Sequence, residues 1–190
     1  MKGFGRKNNL DLNALAERQV LQALIVSDTH GSLRLLHSVL RRFSDVELIL
    51  HLGDHAAPYQ ELKTVTDLPV IAVAGNCDGR DGKDLPETLR LTLAGVRLFL
   101  THGHRFRVKH DLAELIAAAT TPPVESDLIL FGHTHRYLDS MLTTEGGRPF
   151  RLLNPGSACL SPFNPHPSCA LLRIDTDRVE IIRFTPDDPA

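Results

Sequence analysis

The stretch Leu24-Ile25-Val26-Ser27-Asp28-Thr29-His30-Gly31 constrains this chain more than any other. It opens on a branched apolar run without alternation, the pattern of a strand covered on both faces. The strand delivers Asp28 and His30 to its end, two positions apart and so on one side of an extended chain. Charged or polar groups at the end of a buried strand need a partner, because an unpaired buried charge is costly. A metal cation is one such partner. The plain alternative is that Asp28 caps the next helix and His30 sits in a surface loop.

The same arrangement recurs. Residues 46–52 run into Gly53-Asp54, and residues 69–74 into Gly75-Asn76-Cys77-Asp78. Residues 96–101 run into His102-Gly103-His104, and residues 128–131 into Gly132-His133-Thr134-His135. Successive groups lie roughly one strand–crossover–strand unit apart, ~30 residues. The third interval reads instead as a hairpin, residues 89–93 and 96–101 turning at Ala94-Gly95. In α/β sheets the functional groups gather at the carboxyl ends of the strands. Asp28, His30, Asp54, Asn76, His102, His133 and His135 are therefore expected at one edge. Seven donors exceed one tetrahedral zinc and suit two divalent ions that share a carboxylate and keep positions open for water and substrate. Carboxylate, imidazole and amide without thiolate favour Mn, Zn, Fe, Ni or Co over copper or an iron–sulfur cluster. Mn is the first expectation. A metallo-β-lactamase-type H-x-H-x-D-H site is excluded, because Arg136, Tyr137 and Leu138 follow His135.

Residues 1–19 read as an extension, either disordered or carrying a short helix over 10–19 with Leu12 and Leu15 on one side. Residues 20–190 read as one domain. Ser32 is expected to cap a helix with Leu33, Leu36, Val39, Leu40 and Phe43 inward. Pro58 is expected to open a short helix through Val65, and residues 79–86 to form a loop. Asp111 and Glu114 read as a capping box for a helix closed by Pro122 and Pro123. The remainder is β, with strands over 137–143, 150–153, 170–174 and 179–184 and a hairpin turn at 175–178.

At 190 residues and 42% hydrophobic, the chain supports a substantial core without disulfides. Cys77, Cys159 and Cys169 form neither a disulfide framework nor a zinc knuckle, which fits a reducing cytoplasm. A net charge of -2 gives no field for bulk nucleic-acid binding. No apolar run approaches the ~20 residues of a membrane span. Lys2, Arg6 and Lys7 precede no apolar segment, so no secretory signal is read.

Taken together, Asp-x-His, Gly-Asp, Gly-Asn-x-(Asp/Glu), an apolar run into His-Gly-His, and Gly-His-Thr-His resemble the pattern of the calcineurin-like metallophosphoesterases. Cys77 within Gly75-Asn76-Cys77-Asp78, and the later Asn154-Pro155-Gly156-Ser157, resemble the small single-domain bacterial and archaeal YfcE-like phosphodiesterase branch. The resemblance spans about residues 20–184. It implies an α/β (α+β) fold, a four-layer α/β/β/α sandwich of two packed mixed β-sheets flanked by helices. It implies Asp28, His30 and His135 on a first metal, Asn76, His102 and His133 on a second, and Asp54 bridging them. The implied activity is hydrolysis of a small phosphodiester by a hydroxide that two metals activate, with Asp54, Asn76 and His104 as the catalytic residues. A phosphomonoesterase on the same site is the alternative. So is a protein-binding scaffold such as the related retromer subunit, although all seven positions here carry a competent side chain. Homo-oligomerisation is left open.

The wider superfamily has His where this chain has Cys77, and a thiol with a pKa near ~8.5 is the weaker acid. His104 is the substitute donor or a phosphate binder. Arg105, Arg107 and Lys109 supply positive charge or form a solvated loop, and Asn154–Ser157 shapes the substrate mouth or forms a turn. His51 reads as a hydrogen-bonded core residue, His37 and His110 as surface, His166 as loop and His55 as unassigned. Cys159 and Cys169 read as buried thiols.

Overall fold

The computed structural model describes residues 11–55, 62, 64–80, 82–122, 125–160, 164–176 and 178–186. In chain order its elements are α1 (Leu12–Ala16), β1 (Val20–Val26), α2 (Arg34–Arg42), β2 (Leu48–His51) and β3 (Val70–Ala72). There follow β4 (Thr88–Leu93), β5 (Val96–Thr101), a 3-10 turn (His104–Phe106), α3 (Ala113–Thr120) and β6 (Leu128–Leu130). The chain continues with β7 (Tyr137–Thr143), β8 (Pro149–Pro155), β9 (Cys169–Asp175) and β10 (Arg178–Phe184).

One sheet has the order β10-β9-β1-β2-β3, the other β4-β5-β6-β8-β7. Within the first, β1, β2 and β3 are mutually parallel. Within the second, β5, β6 and β8 are parallel. Strand parity sorts the apolar side chains into three cores. Leu21, Ala23 and Ile25 of β1 face Leu98, Leu100, Leu128 and Leu130 of the second sheet, filling the space between sheets. Leu24 and Val26 point the other way, onto Leu35, Leu36 and Val39 of α2. Phe99 and Ile129 likewise turn outward onto Leu115 and Ala119 of α3. The layers are therefore helix, sheet, sheet, helix, as expected. Each fully buried Leu or Ile contributes about 1.5–3 kcal/mol over an exposed one.

Some local expectations give way to longer-range contacts. Ser32 does not cap α2. Its N–H donates to the Thr29 carbonyl at 2.8 Å, which draws it into the turn after β1, and the helix begins at Arg34 without a side-chain cap. Asp111 accepts the Ala113 N–H at 2.9 Å, but Glu114 pairs with Arg107 at 3.6 Å instead of closing a capping box. Thr121 is extended, as a residue before proline must be, and α3 stops there. The hairpin turn at Ala94-Gly95 forms as read, both residues having positive φ (44° and 78°). Its N–H groups donate to the carbonyls of Leu15 (2.9 Å) and Ala16 (3.0 Å), so α1 is docked on the β4–β5 hairpin. Leu15 faces the inter-sheet core, whereas Leu12 is 42% exposed. The helix expected from Pro58 falls mostly outside the described residues. Among the described residues no helix is long and apolar enough to cross a membrane.

Candidate active site

The parallel sets β1–β2–β3 and β5–β6–β8 carry the chain to the turns that hold the candidate residues. Asp28 and His30 follow β1, Asp54 follows β2, Asn76 follows β3, His102 follows β5, and His133 and His135 follow β6. These turns are sharp. Asp28 (φ 54°), His30 (44°), Asp54 (58°), His133 (67°) and His135 (59°) all adopt the left-handed backbone region. For residues bearing a Cβ this costs about 1–3 kcal/mol each and persists where the surroundings over-determine it. The packing here is close enough to do so. A Cβ placed on Gly132 would lie 1.9 Å from Ser27 Oγ and 2.9 Å from Asp28 Oδ2.

Asp28 is wholly buried. Its Oδ2 accepts from Ser27 Oγ at 2.5 Å and from the His133 N–H at 3.1 Å. Its Oδ1 has no hydrogen-bond partner. It lies 3.0 Å from His135 Nε2, out of hydrogen-bond alignment, and 3.9 Å from His102 Nε2. Burial pushes this carboxyl upward, but His135, His102 and Ser27 together hold it below the usual carboxylate value. Asp54 is built alike. Its Oδ1 accepts the Cys77 N–H at 2.8 Å, while Oδ2 faces His102 Nε2 at 3.5 Å and His30 Nε2 at 3.9 Å. Each carboxylate thus has one oxygen fixed by donors and one turned toward imidazole nitrogens.

The imidazoles are oriented from behind. His102 Nδ1 lies 2.7 Å from the Leu52 carbonyl, which can only accept, so Nδ1 donates to it and Nε2 is turned into the site. Such a tie to a carbonyl is how metal-ligating histidines are commonly held. His102 Nε2 also approaches His133 Nδ1 to 3.2 Å. Burial, then the charges of His102 and Lys109, push His133 down to about 4, so it is neutral near pH 7. The adjacent Asp28 carboxylate raises His135.

Donor atoms of Asp28, His30 and His135 lie within 4.8 Å of one another, as do those of Asp28, Asp54 and His102, and those of His30, Asp54 and Cys77. The buried, unbonded Asp28 Oδ1, with His102 Nε2 turned toward it, fits a divalent cation and fits poorly with an empty hydrogen-bonded core. Asn76 is exposed, and its Nδ2 donates to Cys77 Sγ at 3.2 Å. Asn76 and His104 line a cleft of about 520 Å³ together with Gly75, Asp78, Glu87 and Arg105. His104 has a buried, unpartnered Nδ1 and a ring 5.4 Å from that of His102. Burial, then the His102 and Arg105 charges, lower its pKa. Arg105 is taken up by Glu87 (2.8 and 3.0 Å) and Arg107 by Glu114. Of the three basic residues, it is Lys109 whose charge is felt at His133 and His135.

Several supporting residues go beyond the sequence expectation. Asp78 Oδ2 accepts the N–H groups of Asp54 (3.0 Å) and Gly75 (2.6 Å). The Asn154 amide donates to the Gly132 carbonyl at 2.8 Å and to Thr134 Oγ1 at 3.1 Å, and Ser157 Oγ donates to the Asp28 carbonyl at 3.0 Å. The end of β8 and the turn after it thus hold two site loops. His51 is a core residue as read, with Nδ1 accepting the Gly53 N–H at 3.2 Å and Nε2 3.3 Å from Thr29 Oγ1. Cys169 is buried as expected, but Cys159 is only half-buried.

Residues 21–177 match the model of the calcineurin-like phosphoesterase superfamily domain. The chain belongs to that superfamily of metal-dependent phosphoesterases. It is 34% identical over 170 residues to a probable metallophosphoesterase of Methanothermobacter thermautotrophicus, covering 84% of this chain and 90% of that one. It is 31% identical over 185 residues to the phosphodiesterase YfcE of Escherichia coli K12, covering 86% and 92%. Among solved structures, a predicted phosphoesterase from Streptococcus pneumoniae superimposes with a TM-score of 0.68 at 25% identity, covering 90% of this chain and 92% of that one.

Proposed function

We propose that this chain hydrolyses small phosphodiesters with two divalent cations, the first held by Asp28, His30 and His135 and the second by Asn76, His102 and His133, with Asp54 between them. One observation carries the reading. Two buried carboxylates, Asp28 and Asp54, each turn one oxygen toward the Nε2 atoms of histidines from separate strand ends.

Bound divalent ions supply a hydroxide nucleophile at neutral pH and offset charge on the phosphoryl oxygens. The chain's own residues set up the rest. The Leu52 carbonyl accepts from His102 Nδ1 and so turns Nε2 into the site, and Ser27 with the His133 N–H fixes Asp28 Oδ2. Asn76 and His104 border the cleft, whose volume lies in the range of small-molecule sites, about 300–1,000 Å³. Partial burial, then contact with the Asp54 carboxylate and the neighbouring negative charges, push the Cys77 thiol up to about 11, which makes it a poor proton donor. His104 lines the cleft and, in its imidazolium form, is the donor to the departing alcohol; its lowered pKa places that role on the acid side of the pH profile.

Metal analysis of protein purified without chelator, followed by a panel of phosphodiesters and phosphomonoesters, tests the proposal. Turnover of bis(p-nitrophenyl) phosphate, lost in EDTA and restored by Mn²⁺, is expected. A metal-replete protein inert toward every ester in the panel would overturn it.

A further inference from the structure

The sequence pattern assigns the metals to oxygen and nitrogen donors alone. The geometry adds a sulfur. Cys77 Sγ, a carboxylate oxygen of Asp54 and a ring nitrogen of His30 lie within 4.8 Å of one another. Ligand atoms around a zinc-sized ion, at bond lengths of ~2.0–2.3 Å, have to lie about this close together. The sulfur is not there by chance of rotamer alone. The Cys77 N–H donates to Asp54 Oδ1 at 2.8 Å, which pins the backbone of residue 77 onto the carboxylate placed between the two ions. Cys77 as a residue is exposed, although its thiol is partly desolvated. His30 also belongs to the group with Asp28 and His135, so the sulfur stands beside the first of the two positions. That position holds Asp28 Oδ1, a fully buried oxygen without a hydrogen bond.

We propose that Cys77 is a metal ligand, which makes the position of Asp28, His30, Asp54 and His135 selective for a thiophilic ion of the zinc or cobalt class. The inference rests on the two-ion reading above. On binding, the S–H bond breaks, a metal–sulfur bond forms, and one proton leaves to solvent; no oxidant or reductant takes part. Thiolate selects softer ions, whereas Mn²⁺ is favoured by oxygen donors. The pair is then chemically asymmetric. The Asn76, His102 and His133 position has nitrogen and amide-oxygen donors and tolerates the harder ion. Asn76 gains from the same sulfur. Its Nδ2 is engaged by Sγ at 3.2 Å, and this leaves Oδ1 as the amide atom free to face an ion.

Cobalt(II) provides a readout independent of activity. Full-length protein loaded with cobalt should show a near-ultraviolet sulfur-to-cobalt charge-transfer band. The band should vanish in Cys77→Ser and persist in Cys159→Ser, with cobalt content of both variants measured by elemental analysis. In a zinc and manganese mixture, Cys77→Ser should hold less zinc relative to manganese than the wild type. Cobalt bound at full content without the band, or a band that survives Cys77→Ser, overturns the sulfur ligand and leaves the phosphoesterase reading standing. Failure of the wild type to bind cobalt or manganese at all overturns both.

Discussion

Asp78 Oδ2 accepts the backbone N–H of Asp54 at 3.0 Å. The same oxygen takes the Gly75 N–H at 2.6 Å. One carboxylate, itself outside the proposed ligand set, therefore ties the turn after β2 to the turn after β3. It also holds Asp54 in its left-handed conformation, at φ 58°.

Asp78→Ala should leave the fold intact and loosen the metals. Loss of a group that orients a ligand typically costs about 10–100-fold in metal affinity. Titration against a competing chelator would read this directly, with circular dichroism to check the fold. Wild-type affinity in the variant would show that Asp78 does no more than close a turn.

Asp54→Ala should cost more metal than either His30→Ala or His102→Ala. Asp54 Oδ2 faces histidines assigned to different ions, His30 at 3.9 Å and His102 at 3.5 Å, so its loss should empty both positions. Each histidine variant should retain one ion. Elemental analysis of the three proteins decides, and full metal retention in Asp54→Ala would remove the bridge.

How much of this was legible in the sequence follows from which forces are local. Three-residue strands such as β3 and β6 could be read because both faces are buried and the apolar run ends abruptly at polar donors. Residues 154–157 could not be read so, because their role depends on β8 lying parallel to β6, a pairing that no local pattern encodes. Ser32 failed as a cap because the turn at Thr29 claims its N–H, and Glu114 failed because Arg107 offers a charge. Asp78 sat in view within Gly75-Asn76-Cys77-Asp78. Its role appears only when Asp54, from another strand end, arrives at its oxygen.

His104→Asn should separate substrates by leaving group. The residue lines the cleft beside Asn76, and its ring packs against those of His102 and His133 at 5.4 and 6.2 Å. A general acid is worth about 10²–10⁴-fold where the leaving group needs a proton. Alkyl diesters should slow by that order, while bis(p-nitrophenyl) phosphate, whose phenolate leaves unaided, should change little in kcat. An equal loss on both substrates would instead mark His104 as a phosphate-binding group.

His51 should make stability depend on pH. It is fully buried, and the Gly53 N–H donates to its Nδ1, so the single ring proton sits on Nε2 toward Thr29 Oγ1. Burial pushes its pKa down to about 4 from the ordinary 6.5, against the opposing pull of the Asp78, Asp28 and Asp54 charges. Between these two values the unfolded chain binds a proton that the folded chain refuses. The stabilisation from neutral His51 is thus present in full above 6.5 and is lost as pH falls toward 4. One such proton corresponds to a slope of about 1.4 kcal/mol per pH unit within the window. Urea unfolding of metal-free protein from about pH 7 to about pH 5 would measure it. His133 is lowered in the same way and adds a slope of the same sign, so the comparison must be with His51→Gln, where only one titrating group is gone. The variant should be less stable near neutrality and should decline more gently on acidification. Two parallel curves would mean that protonation of His51 is tolerated in the folded core.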